Sequence, residues 1–328
     1  MADTKISALT AVTTAADTDE YATNQGGVSK KTTRAVLFTN PLLPSYADFT
    51  AIANPSAPGA STLRMWARTV AGRTVPKVMG PAGVDYPLQS SLWGNQVQQV
   101  TPATGTTAGS FIGGSLTSAG TVSHPTPTNT SRATGMRRIR HANVVTTTNQ
   151  VLGFHGGAAD MACYLRGNGN GPGGFMLFAR FSTALWAANT VRLFVGLRSG
   201  TTAIVASDTL PAVSMCGFWH ATTDNGTTIN FVTKDGTTSN STAITVPTLA
   251  ADVGFDAYIY CPPQGSTIFY RLDRLDTAAT IVDTSTATNV PAATTFMAPE
   301  CAMSNGTANT TVTTVAIALN KLYIESDY

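Results

Sequence analysis

Three features of the sequence predict an all-β protein. Charged residues make up 12% of its 328 positions, about half the share usual in soluble domains. Threonine fills 54 positions, alongside 29 glycines and 17 prolines, whereas Glu occurs three times and Lys six. Glu and Lys hold exposed helix turns, where Thr, Gly and Pro are neutral to hostile. A β-branched side chain suits a pleated, half-buried surface, and Gly and Pro suit the turns between strands. The expected layout is an extended N-terminal segment (1–44), a small β region (45–119) and a C-terminal antiparallel β-sandwich (120–328).

The N-terminal segment is short and polar, and its apolar positions Ile6, Leu9 and Val12 fit neither a long strand nor a long helix. So little of it is apolar that it cannot bury a core of its own. A docking surface on another chain is therefore expected. The middle region opens on the turn-rich run 54–59, Asn-Pro-Ser-Ala-Pro-Gly. Residues 63–70 then alternate, with Leu63, Met65, Ala67 and Thr69 on one face, and Ala71-Gly72 turns the chain into 75–79. A hairpin is predicted, and Pro76 marks its second strand as an edge or a bulge. Beyond Asn95 the Thr/Gly/Ser-rich run 101–123 reads as thin connecting strands or a linker.

In the C-terminal region, residues 175–181 form a strand apolar on both faces. Residues 191–198 alternate strictly, with Val191, Leu193, Val195 and Leu197 inward and Arg192 and Arg198 outward. The runs 216–220 and 228–232 flank Asn225-Gly226, a hairpin signal, and Asp235-Gly236 turns the chain toward 243–246. Residues 255–261 and 267–272 are joined through Pro262-Pro-Gln-Gly265. The runs 312–319 and 322–324 close the domain. About ten short antiparallel strands predict a two-sheet sandwich, most simply a jelly roll.

Charge and motifs exclude several functions. The net charge of +2, from 20 basic and 18 acidic residues, offers no field for nucleic acid. No run of 18 apolar residues is present, so membrane insertion is not expected. The first 16 residues lack an apolar stretch after a basic start, so no secretory signal is expected. Cys163, Cys216, Cys261 and Cys301 have neither metal-ligand nor redox spacing and read as buried thiols. Residues 169–174 match GxGxxG, but Pro172 lies inside the run and a strand follows it, so neither dinucleotide nor any other cofactor is expected. His124, His141, His155 and His220 stand too far apart to suggest a metal site. Asp256, Asp273 and Asp276 could supply the paired carboxylates of glycoside hydrolysis. The competing reading pairs them with Arg271 and Arg274 across strands. No catalytic residue is assigned.

Aromatic residues remain as candidates. Trp219 and His220 end a strand before the Asn225 turn, Tyr258 and Tyr260 share a face, and Trp186 lies between two strands. Such rings either form a shallow receptor site or belong to the sandwich core or a subunit interface.

Several of these runs, together with others along the chain, carry a family resemblance. Lys5-Ile-Ser-Ala-Leu-Thr-Ala-Val12, Asp17-Thr-Asp-Glu20 and Gln25-Gly-Gly-Val-Ser-Lys-Lys31 resemble the N-terminal segment of tailed-bacteriophage virion proteins, tail fibres especially. Asn54-Pro-Ser-Ala-Pro58, Arg68-Thr-Val-Ala-Gly-Arg73, Gly80-Pro-Ala-Gly-Val84 and Leu92-Trp-Gly-Asn95 resemble their next module. Gly173-Gly-Phe175, Phe194-Val-Gly-Leu197, Cys261-Pro-Pro263 and Leu322-Tyr-Ile-Glu-Ser-Asp-Tyr328 are similar to their lectin-like C-terminal domain. The resemblance implies a homotrimeric fibre assembled in the bacterial host cytoplasm and located in the virion, on its tail or capsid surface. A segment including Lys5, Ile6, Leu9, Val12, Asp19, Gly26 and Gly27 would hold another virion protein. The distal jelly roll would bind a glycan or protein of the host surface. Trimers suit the strand 175–181, whose second apolar face could meet a neighbouring subunit. A head fibre or capsid decoration protein shares this architecture. A surface-polysaccharide depolymerase would normally need a long repeated β-helix, and the sequence has no such repeat.

Overall fold

The computed structural model describes residues 20–25, 28–33, 48–56, 58–59, 62–79, 85–87, 96–102, 110–112, 117–143, 149–155, 164–167, 173–186, 190–201, 203–306 and 314–327. Among these, the only helical element is a single 3-10 turn, Ile204–Ala206. All strand pairs within the sheets are antiparallel, so the protein is an all-β fold of the jelly-roll type. The chain divides into two compact units, Met1–Thr50 and Ala51–Tyr328.

The first unit contains β1 (Glu20–Gln25) and β2 (Val28–Thr33), an antiparallel pair whose register runs from Glu20↔Thr33 to Gln25↔Val28.

The second unit holds three sheets. The smallest orders β3 (Arg64–Val70), β4 (Arg73–Met79) and β5 (Asp85–Pro87). Val70 pairs with Arg73 across Ala71-Gly72, both at positive φ (47° and 72°), as a two-residue primed turn requires. Pro76 sits opposite Ala67 and before Lys77, where pairing with β5 begins. Among the described residues, its missing N–H therefore faces no partner strand. The alternation of β3 is resolved with Trp66 and Val70 buried and Leu63 and Met65 exposed.

The sandwich proper consists of two sheets. The first orders β19 (Thr280–Thr286), β18 (Ile268–Arg274), β17 (Val253–Cys261), β12 (Gly173–Leu185), β21 (Ala316–Asp327), β10 (Ile139–Ala142) and β9 (Thr121–Ser123), with β6 (Gln96–Thr101) also on β21 and β7 (Ser110–Ile112) on β6. The second orders β16 (Ser239–Thr245), β15 (Thr228–Asp235), β14 (Ser214–His220), β13 (Arg192–Arg198), β20 (Ala298–Ser304), β11 (Val151–His155) and β8 (Thr117–Ala119). Strands from 96–123 are thus paired into the sheets of the sandwich. The runs expected separately at 312–319 and 322–324 are one strand, β21, from Ala316 onward.

The facing surfaces bury one continuous core. Phe175, Leu177, Ala179 and Phe181 of β12 meet Leu193, Val195 and Leu197 of β13, with Phe255, Ile259, Phe218 and Phe231 among them. Phe231 stacks on Tyr270 at 3.7 Å. Period-two alternation dictates this arrangement, since every second side chain of each strand points to the same face. The edges of the two sheets are joined where β8 passes into β9 at Gly120 (φ 86°). A Cβ there would lie 2.9 Å from both the Ala142 carbonyl oxygen and the Leu152 Cβ.

The expected outward arginines of β13 are corrected: Arg192 and Arg198 are buried. Residues 203–213 cover the outer face of the second sheet, and Ile204 and Val205 pack on Phe194, Met215, Trp219 and Val232. Arg198 pairs with Glu300, both side chains fully buried, and also donates to the Gly200 carbonyl. The second Glu300 oxygen accepts the Ile204 N–H at 2.9 Å. Burial pushes the Glu300 carboxyl up to about 7 against the pull of Arg198. Arg192 holds Asp208 bidentately at 2.9 and 2.8 Å and, against some desolvation, keeps that carboxyl down at about 2. These two pairs clamp the covering segment to the sheet.

His141 is also interior. Its Nδ1–H donates to the Ala119 carbonyl at 2.9 Å, and its ring meets Phe154 edge-on at 4.5 Å. Burial lowers its pKa from 6.5 to about 4, partly offset by that carbonyl. A depressed folded-state pKa contributes stability above the unfolded value, lost as pH falls through the folded one. The stability advantage of the native chain over a His141→Gln variant should therefore shrink between pH 6.5 and about 4, by on the order of 3 kcal/mol. Paired urea titrations across that range would measure it. Glu300 acts in the opposite sense as its carboxyl titrates, but equally in both proteins.

Candidate functional site

The outer face of the first sheet gathers aromatic rings and charges. The same alternation that sends Leu177 and Ala179 inward turns Phe178 and Arg180 outward, and β17 correspondingly presents Asp256, Tyr258 and Tyr260. The register places Arg180 opposite Asp256, Phe178 opposite Tyr258, and Tyr258 opposite Arg271. Phe178 and Tyr258 lie 5.0 Å apart between ring centroids. Burial, with Asp256 and Asp273 nearby, raises the Tyr258 phenol, so it is a neutral hydrogen-bonding group at physiological pH.

The carboxylates of this face are engaged. Arg180 holds Asp256 through two bonds of 2.7 Å. Arg271 donates from Nε to both oxygens of Asp273, at 2.9 and 3.0 Å, and from Nη1 to Asp283 at 3.1 Å. Arg274 holds Asp276 at 2.5 and 2.7 Å. Cross-strand pairing with Arg271 and Arg274 was expected from the sequence, but those arginines hold Asp273 and Asp276 two residues along the chain, and the cross-strand partner of Asp256 is Arg180, because β12 and not β18 brings a guanidinium to it. Arginine holds each of these carboxylates in place, and none of the three is presented as a member of an unencumbered acid and base pair.

The small sheet docks onto this face. The Ala71-Gly72 turn lies against Phe269, and Arg73 reaches Glu325 while its guanidinium stands 5.8 Å over the Tyr260 ring. A Cβ on Gly72 would come within 2.5 Å of the Phe269 ring in a backbone conformation that favours glycine. Gly72→Val should loosen the small sheet at a cost of about 1–3 kcal/mol. Faster amide exchange confined to β3 and β4 would be the signature.

Beside this contact lies an open cleft of about 340 Å³, lined by Ala51, Ile52, Ala53, Arg68, Thr69 and Arg271. Ala51 bridges to Ala67 in parallel fashion, and the Ile52 N–H donates to the Ala67 carbonyl at 2.9 Å. This fixes residues 51–53 along β3 as one wall.

The residues singled out from the sequence fall into three groups. Tyr258 and Tyr260 are half-buried on the outer face. Trp219 and His220 are inside the fold: Trp219 packs beneath the covering segment, and His220 donates from Nδ1 to the Thr228 carbonyl at 2.8 Å. Trp186 is half-buried against the core and meets His220 edge-on at 4.9 Å. Burial lowers the pKa of His220, as a neutral structural imidazole requires. The attachment candidates Lys5, Ile6, Leu9, Val12, Asp19, Gly26 and Gly27 lie outside the described residues. Sequence reading passed over Phe178, Phe269, Ile52 and Arg68. The first was legible as the outward member of an alternating strand, whereas the others gain meaning only from the docking of the small sheet.

Among the described residues, no three His, Cys, Asp or Glu converge to hold a metal, and no helix is long and apolar enough to cross a membrane. Cys216, Cys261 and Cys301 are buried free thiols, and burial raises all three, Cys261 to about 12.

No protein-family model matches the chain, and no curated protein matches it. Similar solved structures include lectin I from Ulex europaeus in complex with the methyl glycoside of α-L-fucose, at 9% identity over 71% of this chain and 98% of that one, TM-score 0.46. Alginate lyase A1-II′, a member of polysaccharide lyase family 7, aligns at 10% identity over 70% of this chain and 94% of its own, TM-score 0.38. The CBM2 module of the evolved Dit of Lactobacillus casei BL23 phage J-1 aligns at 12% identity over 73% and 93%, TM-score 0.31. Likeness at this level assigns no ligand or activity to this chain.

Proposed function

We propose that the chain is a structural virion protein of a tailed bacteriophage, a homotrimeric tail fibre. Its N-terminal segment docks on another virion protein, and its sandwich adheres to a host-surface glycan or protein without cleaving it. The observation that carries the reading is the outer face of the first sheet. There Tyr258, Tyr260, Phe178 and Phe269 stand half-buried among arginines, beside an open cleft, while Asp256, Asp273 and Asp276 are each held by arginine. Rings with a polar neighbour suit the apolar faces and hydroxyl edges of a sugar. Engaged carboxylates favour binding over hydrolysis. The division at Thr50 supports a separate attachment segment, and three copies would multiply weak contacts into useful avidity.

Light scattering of the purified full chain should give three times its 34.1 kDa, and the labelled protein should adsorb to host cells. A monomer would end the fibre reading, and absence of adsorption would end the adhesion reading. Locating the N-terminal unit in a map of the particle separates a tail fibre from a head fibre.

A further inference from the structure

We propose that the cleft beside Arg68 and Arg271 is a subsite for an acidic sugar, one that carries a carboxylate or a phosphate. This rests on the adhesion reading above and narrows it to one place and one ligand chemistry. The lining of Ala51, Ile52, Ala53, Arg68, Thr69 and Arg271 holds two guanidinium groups and no carboxylate. Its volume of about 340 Å³ lies within the range of about 300–1,000 Å³ for small-molecule sites.

The distribution of charge sets the choice of ligand. The 20 basic and 18 acidic residues of the chain nearly cancel, yet residues 51–79 contain Arg64, Arg68, Arg73 and Lys77 and no Asp or Glu. Other arginines on or against the outer face of the first sheet are matched with carboxylates: Arg180 with Asp256, Arg271 with Asp273 and Asp283, Arg274 with Asp276, and Arg73 with Glu325. Arg68 differs from these. Its Nη1 donates to the side-chain oxygen of Asn54 at 3.1 Å, a neutral acceptor that orients the guanidinium without balancing its charge. A bound oxyanion supplies the missing charge, and the planar fork of an arginine offers it two parallel donors. The guanidinium is tethered before the ligand arrives, which limits the entropy lost on binding.

Arg271 contributes in a different way. It is only 8% exposed and donates from Nε to Asp273 and from Nη1 to Asp283. Its charge is thus already balanced, and its part is that of a rigid donor through the remaining Nη2. Ala51, Ile52 and Ala53 flank Arg68 as an apolar strip, with Ile52 51% exposed and its backbone fixed by the bond to Ala67. The C–H face of a sugar ring loses water against such a strip. A bare anion uses the donors alone, whereas an acidic sugar uses donors and strip together. From Arg271 the outward row continues across the strands through Tyr258 to Phe178, and these half-buried rings lie where the next residue of a glycan chain would rest.

The test is titration calorimetry and saturation-transfer NMR of the full chain with sodium glucuronate, glucose 1-phosphate, methyl α-D-glucopyranoside and inorganic phosphate. At least one of the two acidic sugars should bind about tenfold tighter than the neutral glycoside, and tighter than inorganic phosphate, which cannot cover the strip. Preference for glucuronate or for glucose 1-phosphate identifies the carboxylate or the phosphate as the group recognised. Raising the salt from about 0.05 M to about 0.5 M should weaken the acidic sugar, because the site lies open to solvent. Arg68→Gln, whose amide can still donate to Asn54, should weaken it about tenfold at unchanged melting temperature. Arg68→Lys keeps the charge and should lose less. Failure of both acidic sugars, equal binding of the neutral glycoside, undiminished binding by Arg68→Gln, or equal losses in the two variants would overturn the proposal. Adsorption of the intact chain to host cells, measured separately, tells whether such a failure concerns this cleft alone or adhesion as a whole.

Discussion

Replacing Arg198 by leucine should cost about 3–5 kcal/mol of unfolding free energy, more than any surface substitution in this chain. Arg198 and Glu300 are both at 0% side-chain exposure, so the variant strands a carboxylate in the interior with the backbone amides of Ile204 and Val205 but without its guanidinium partner. Burial already pushes that carboxyl up to about 7 with the guanidinium present. Glu300→Leu should cost a similar amount, since it leaves the buried guanidinium without the carboxylate that neutralises it. The double variant Arg198→Leu/Glu300→Leu should be less damaging than either single one, because no unpaired charge stays behind. What persists is the loss of the acceptor that the Ile204 and Val205 N–H groups share, worth about 1–3 kcal/mol. Chemical denaturation of the four proteins closes the cycle. Additive losses would show that the pair is not coupled. Limited proteolysis should also cut the single variants within 203–213, the segment this pair pins down.

Deletion of residues 1–50 should abolish incorporation into virions while leaving the remaining unit folded, with its melting temperature within about 2 °C of the full chain. The expectation follows from the division of the chain at Thr50, together with the attachment role proposed for the N-terminal segment. Complementation of particles lacking the protein measures the first effect and calorimetry the second. The truncated chain should also remain trimeric in light scattering. Dissociation to monomers would instead make the N-terminal segment the oligomerisation element.

Much of the sandwich was legible because alternation is a local signal. Leu193, Val195 and Leu197 announce an inward face whatever lies elsewhere in the chain, and Asp235-Gly236 announces a turn. Arg192 and Arg198 misled for the complementary reason. A charged residue at an outward position reads as solvated, and nothing nearby in sequence reveals that 203–213 folds over it with Asp208 and that Glu300 waits about a hundred residues away. The strand β20 escaped notice because Pro299 and Glu300 disguise it, although it lies between β13 and β11 with every residue buried. At the candidate site, Tyr258 and Tyr260 could be placed on one face from spacing alone. Their neighbours could not, since the cleft is made by segments separated by some two hundred positions, Ile52 and Arg68 on one side and Arg271 on the other. The Asp256 partner was missed for want of the strand order. A carboxylate finds whichever guanidinium its neighbouring strand supplies, and that is a matter of topology.

The position of β21 between β12 and β10 bears on how the chain is synthesised. Until residues 316–327 leave the ribosome, the first sheet is two separate halves, and β12 shows a long unpaired edge. A chain stalled short of residue 316 would be a sticky fragment suited to chaperones or proteases, so only copies translated through that point can close the sheet.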